Sequence, residues 1–205
     1  MRPTYRSFNT SYLEALATKS LAQHGRYLDF GKLAIDVELM LEVQKYRICY
    51  MADLPQRIEA FLASDMTTIY VREYPEDENR PRFSMAEEQA HILIHLPEIV
   101  RAGGTHPERY VQSFSQREYD AFERDARYLA GALLMEATLF HKRFKGHWEE
   151  NEQLAVRWTR KSPHTQAIQT LKRCARDFHV GITCAATRAL KLGLIKKEVL
   201  DTVSS

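Results

Sequence analysis

Residues 82–95, RFSMAEEQAHILIH, constrain the fold more than any other stretch of the chain. They contain no Pro or Gly and are rich in Ala, Leu, Met, Glu and Gln, so they form a helix. Ser84 is a suitable N-cap, and Pro97 stands where helices commonly stop. At about 100° per residue, with Glu87 at the origin, His91 falls near roughly 40°, His95 near roughly 80° and Glu88 near roughly 100°. Four groups able to bind a proton or a metal therefore share one sector of the helix. Met85, Ala86, Ala90, Ile92, Leu93, Ile94 and Leu96 fill most of the rest, Gln89 excepted. A helix apolar around most of its girth belongs in a core. Its carboxylates and imidazoles must then find partners, shift their pKa values or hold a metal. The same pattern suits two ordinary salt-bridge or hydrogen-bond pairs.

The remaining composition narrows the setting. At 205 residues the chain can build one core of ordinary size, with or without a small appendage. A net charge of +2 gives no strong electrostatic footprint for nucleic acid. The three cysteines, Cys49, Cys174 and Cys184, are scattered and form no CxxC. This argues against a zinc ribbon and a disulfide framework, and for a reducing cytoplasm. There is no signal-peptide pattern near Met1 and no apolar run of membrane-spanning length, so a soluble protein is expected.

In chain order, residues 1–9 read as loosely ordered. A helix over 12–23 ends at His24 and Gly25, and a second covers 30–43. The period then changes. Residues 46–51, 58–62 and 67–71 read as short strands, and 73–81 as a polar loop. After the central helix, a loop with Gly103, Gly104 and Pro107 leads to one long helix over 116–144. Ser115 and Glu118 form its capping box. Residues 149–161 read as a surface linker. Helices follow over 165–178 and 182–192, the latter closed by Gly193. The order predicts an α+β fold, mainly helical, with a small antiparallel sheet beside the helices.

Residues 79–95, NRPRFSMAEEQAHILIH, look like the signature of the ImmA/IrrE-type metallopeptidases: an arginine-rich lead, Phe-Thr-x-Ala-His-Glu-x-Gly-His, an apolar pair and a further His. Residues 123–136, ERDARYLAGALLME, resemble a second signature of that family, Glu-x-x-Ala-Asn/Asp-x-Phe-Ala-x-x-Leu-Leu-Met-Pro. With the helix-then-strands layout before them and the helical tail after, the resemblance covers most of residues 30–195. It implies a metallopeptidase-like domain over 1–145 and a C-terminal helical tail over 146–205 packed on it. It also implies a gluzincin-like zinc site with two His at i and i+4, a water-activating Glu, and a third ligand from a later helix. Several relatives are implied to cleave helix-turn-helix repressors and so to switch mobile-element or stress genes.

Residue by residue, Glu88 takes the catalytic base position, His91 the second ligand and Glu123 the third, while the first ligand position holds Glu87 instead of His. Ala90 replaces Gly, Arg127 replaces Asn or Asp, Leu129 replaces Phe and Glu136 replaces Pro. A Glu87, His91 and Glu123 site would carry two anionic ligands. That lowers the acidity of bound water and shifts preference from zinc toward manganese or magnesium. Without a metal, at least one of Glu87 and Glu88 is expected to be protonated or paired with Arg80 or Arg82. His95 is an alternate ligand or a support for His91. Asp125 is an alternate to Glu123, which flanks the small Ala126 and Ala130 and has the longer reach. His141, His147 and His164 have no partners at ligand spacing. Three functions follow: a divergent peptidase acting on a protein such as a helix-turn-helix repressor, a non-catalytic descendant that binds a regulatory partner, and a small DNA-associated regulator. The last would use Lys172, Arg173, Arg176 and Arg188, and the near-neutral charge disfavours it.

Overall fold

Small residues set where this chain packs most closely. The computed structural model describes residues 5–24, 33–77, 79–101, 111–112, 114–158 and 162–204. These run through α1 (Thr10–His24), α2 (Val37–Val43), β1 (Arg47–Met51), β2 (Ala60–Leu62), β3 (Thr68–Arg72), α3 (Asn79–Ile94), α4 (Leu96–Arg101) and α5 (Gln116–Leu134). They continue through α6 (Ala137–Trp158), α7 (Pro163–Asp177), α8 (Ile182–Lys191) and α9 (Lys197–Ser204). Helix α3 lies against α5. Ala86 and Ala90 on one side and Ala126 and Ala130 on the other are all fully buried, so the two backbones approach closely. That approach brings the polar sector of α3 beside Glu123 of α5.

The fold is α+β, as the element order predicts. Its sheet is mixed: β3 is central, pairs in parallel with β1 and antiparallel with β2, and gives the order β1–β3–β2. Ile69 and Val71 of β3 are fully buried and anchor the sheet to α3. Strand β2 is left at one edge.

Several boundaries differ from the sequence reading, each for a local reason. Helix α3 begins at Asn79, not at Ser84. The Asp77 side chain accepts from the Asn79 amide, and Pro81 sits in the first turn, where its missing N–H costs nothing. Ser84 is a buried residue inside the helix. The chain bends at His95 and resumes as α4 with Pro97 in its first turn. Gly103, Gly104 and Pro107 lie outside the described residues. The expected long helix is two, because Met135 leaves helical geometry and the Glu136 carboxylate accepts from the Leu139 amide, capping α6. Neither Pro nor Gly marks that break. Most of the expected linker is the second half of α6. Residues 5–9 are not loose: Tyr5 is buried and the Phe8 amide is hydrogen-bonded to Asp125. The capping box of Ser115 and Glu118 is present, and Gly193 closes α8 at φ +71°. No helix among the described residues is long and apolar enough to cross a membrane.

Candidate functional site

A groove of about 400 Å³ opens between β2, α3, the start of α4 and α5. Glu87, Glu88, His91 and His95 all line it, as their helical spacing requires, and Glu123 faces them from α5. His91 Nε2 is 3.9 Å from Glu123 Oε1. Asp125 points away: it accepts from Tyr5 Oη at 2.7 Å, from Ser7 Oγ at 2.7 Å and from the Phe8 amide at 2.8 Å. Arg82 is not a groove residue either. Its guanidinium donates to the carbonyls of Phe178, His179 and Ile35, and so ties α3 to the chain before α2 and after α7. Arg80 lies over the Tyr74 ring, 4.7 Å from its centroid. The carboxylates of the groove therefore do not pair with Arg80 or Arg82.

They pair with Arg127. Its Nε is 3.1 Å from Glu87 Oε1 and its Nη2 is 3.6 Å from Glu123 Oε2. The guanidinium thus joins the first and third of the three implied ligand positions. Burial raises the pKa of Glu87 and of Glu123, and the Arg127 charge pulls both back. Among the described residues Glu88 has no such cation. Burial, then the neighbouring Glu87 and Glu123, push it up to about 8 against the pull of a hydrogen bond from the Leu62 backbone, and so favour the neutral acid.

The histidines form a different kind of arrangement. Burial raises the Tyr5 pKa, so Tyr5 keeps its proton and spends it on Asp125. His95 Nε2, 3.0 Å from the same hydroxyl oxygen, must then be the donor to it. That leaves His95 Nδ1 as an acceptor, filled by His91 Nδ1–H at 2.8 Å. Burial pushes His91 down to about 4 and His95 lower still, so both are neutral. Phe122 stacks on His95 and fixes its ring. Every proton in the series points from the groove toward Asp125, and His91 presents a bare Nε2 lone pair to Glu123. Tyr5 was missed in the sequence because nothing local couples an N-terminal tyrosine to a helix 90 residues on. Arg127 stood out only as a departure from the family signature.

The donor set does not fit a divalent metal as it stands. Among the described residues no three His, Cys, Asp or Glu side chains converge to hold one. The position between Glu87 and Glu123 already has a cation in Arg127, and the donors beyond His91 are carboxylate oxygens, which suit manganese or magnesium better than zinc. His91 alone is oriented as a ligand would be. Three of the other candidates serve elsewhere: His147 bonds Asp177 at 2.7 Å, Arg173 pairs with Glu150, and Arg188 is buried against Glu14.

A model of the family described as the IrrE N-terminal-like domain matches residues 41–189. No curated protein sequence matches the chain. Among solved structures, a Mycobacterium tuberculosis transcriptional regulator is similar, with a TM-score of 0.57 and 16% identity, over 87% of this chain and 46% of that one. The chain thus spans less than half the length of that regulator. The match over residues 41–189 includes α3 and α5 with Glu87, Glu88, His91 and Glu123. The chain belongs to the family of IrrE N-terminal-like domains.

Proposed function

We propose that this chain is a regulatory member of its family that binds a segment of a protein partner in the β2–α3–α5 groove and does not hydrolyse it. The observation that carries this reading is Arg127, whose guanidinium pairs with both Glu87 and Glu123 where the family resemblance implies a metal. Groove shape supports it. Strand β2 is the last of its sheet and lines the groove with Ala60, Phe61 and Leu62, so an extended segment can add beside it. The family resemblance implies helix-turn-helix repressors as the class of partner, and a segment of such a regulator is the occupant proposed for the groove.

Metal analysis tests this directly. Protein purified without chelator should carry less than about a tenth of an equivalent of any divalent metal. The double variant Glu87→His with Arg127→Asn, which restores the family's residue types, should take up about one zinc. A full equivalent in the unaltered chain overturns the reading. A second reading, hydrolysis of a regulator's peptide bond, is favoured by the bare Nε2 of His91. It requires metal in the purified protein and cleavage that Glu88→Gln abolishes while the metal stays bound.

A further inference from the structure

Arg127 is a wall shared by two cavities. The second, of about 600 Å³, lies between the residues leading into α1, the first turns of α3, the middle of α5 and α8. Phe8, Leu13 and Phe83 give it an apolar interior. Cys184 adds to that character, since burial pushes its thiol up to about 12 and keeps it neutral. Asp125, the one carboxylate lining it among the described residues, is already satisfied by Tyr5, Ser7 and the Phe8 amide.

The mouth is basic. Arg124 and Lys191 both line the cavity and are both exposed. Among the described residues neither meets a carboxylate; Arg124 donates only to Ser7 Oγ, at 3.3 Å. Gly131 also lines the cavity, from the last turn of α5. Glycine is a poor residue for a helix interior. Here a Cβ would meet nothing within 4 Å, so packing does not demand it, and its small size leaves the cavity open. An apolar chamber of this volume with a few convergent polar groups is what small-molecule sites look like.

We propose that this cavity binds an organic monocarboxylate with an apolar body, its carboxylate held at the mouth by Arg124 and Lys191 and its body between Phe8, Leu13 and Phe83. The apolar walls exclude a small inorganic anion, and two cations that meet no carboxylate among the described residues select against a neutral or cationic ligand of the same shape.

The test uses the whole chain and fluorescent 8-anilinonaphthalene-1-sulfonate, itself an apolar anion. Binding should saturate at about one dye per chain. Decanoate should displace the dye, and decylamine should not at the same concentration. Gly131→Leu, which grows a side chain into the chamber, should weaken dye and decanoate at least about tenfold while the helical circular dichroism and melting temperature hold or rise. The surface pair Arg124→Gln with Lys191→Gln should weaken decanoate about tenfold without affecting folding, and the loss should shrink as salt is added. The proposal is overturned by the absence of saturable binding, by equal displacement with decylamine, or by unchanged affinity in folded Gly131→Leu. If Gly131→Leu does not fold, unchanged decanoate affinity in the surface pair overturns it. None of these readouts involves metal in the groove, so they stand apart from the test of the groove's function.

Discussion

Arg188 and Arg127 both answer glutamates, and they do opposite things. Arg188, on α8, has a side chain only 3% exposed. Its Nη2 is 2.9 Å from Glu14 Oε2, its Nη1 meets Glu14 Oε1, and its Nε donates at 2.9 Å to the Met135 carbonyl, which the break between α5 and α6 leaves free. Tyr128 donates to the same Glu14 carboxylate at 2.8 Å. One guanidinium thus joins α1, the α5–α6 junction and α8, with each of its three nitrogens donating a bond. Arg127 is 63% exposed and touches Glu87 and Glu123 through single contacts. The first is a fixed joint of the fold. The second is a charge resting in a groove, held loosely enough to be displaced. Burial and fork geometry, rather than the Arg–Glu pairing itself, separate structural from adjustable.

The largest effect should come from breaking the joint. Arg188→Ala leaves a backbone carbonyl without its donor and a partly buried carboxylate with Tyr128 but no counter-charge, and should cost about 3 kcal/mol or more in urea unfolding. Arg188→Lys should recover little of it, because an ammonium cannot reach three acceptors as a fork does. A loss below about 1 kcal/mol would mean that the two arginines are energetically alike.

Next is Glu14→Gln, at about 1–2 kcal/mol near neutral pH. Burial pulls the Glu14 pKa up, but the bonds from Arg188 and Tyr128 outweigh it and lower it. A carboxylate with a depressed folded-state pKa contributes fully above its unfolded value of about 4.3 and loses that contribution as pH falls through the folded value. The stability gap between the unaltered chain and Glu14→Gln should therefore close below about pH 4. A gap that stays constant to lower pH would assign the stabilisation to packing and not to charge.

Tyr5→Phe probes the ordered half of the groove. It removes the link between His95 and Asp125 and should cost about 1 kcal/mol. Its sharper readout is the His91 ring in nitrogen-15 NMR. In the unaltered chain the proton should sit on Nδ1, and in Tyr5→Phe that preference should weaken because His95 is no longer held as an acceptor. An unchanged His91 tautomer would show that the histidine pair alone sets it.

How much of this could be read in advance follows from distance along the chain. The helical period placed Glu87, Glu88, His91 and His95 on one face, and the structure has all four in one groove. Ser115 with Glu118, and Gly193, were equally local and equally visible. What escaped was set by partners far away or by competition between nearby ones. Asp77 took the role expected of Ser84 because it precedes a proline-tolerant first turn. The break at Met135 carries no Pro or Gly, and the freed carbonyl is claimed by Arg188, 53 residues on. Arg188 read as a surface cation beside Arg173 and Arg176, yet its partner Glu14 lies 174 residues away. The pairing order of the strands had the same difficulty: alternation marks a strand but not which neighbour it meets, so the parallel β1–β3 contact was not foreseen.

The smallest effect on stability, and the one that bears most on the groove, should come from Arg127→Gln. An exposed side chain making two single contacts contributes little, so the change in unfolding free energy should stay within about 0.5 kcal/mol. Its electrostatic consequence is larger. Glu87 and Glu123 lose the cation that pulls both pKa values back, and with Glu88 already raised by both, the groove becomes an acidic cluster without a counter-charge. Such a cluster either stays partly protonated or attracts a divalent ion. Arg127→Gln should therefore gain a thermal shift with added manganese or zinc that the unaltered chain lacks, by the ordinary stabilisation of a state that binds a ligand. The further change Glu87→Ala should remove that gain. Equal shifts in the presence and absence of Arg127 would show that the guanidinium does not compete for the position, and the distinction drawn between the two arginines would then rest on burial alone.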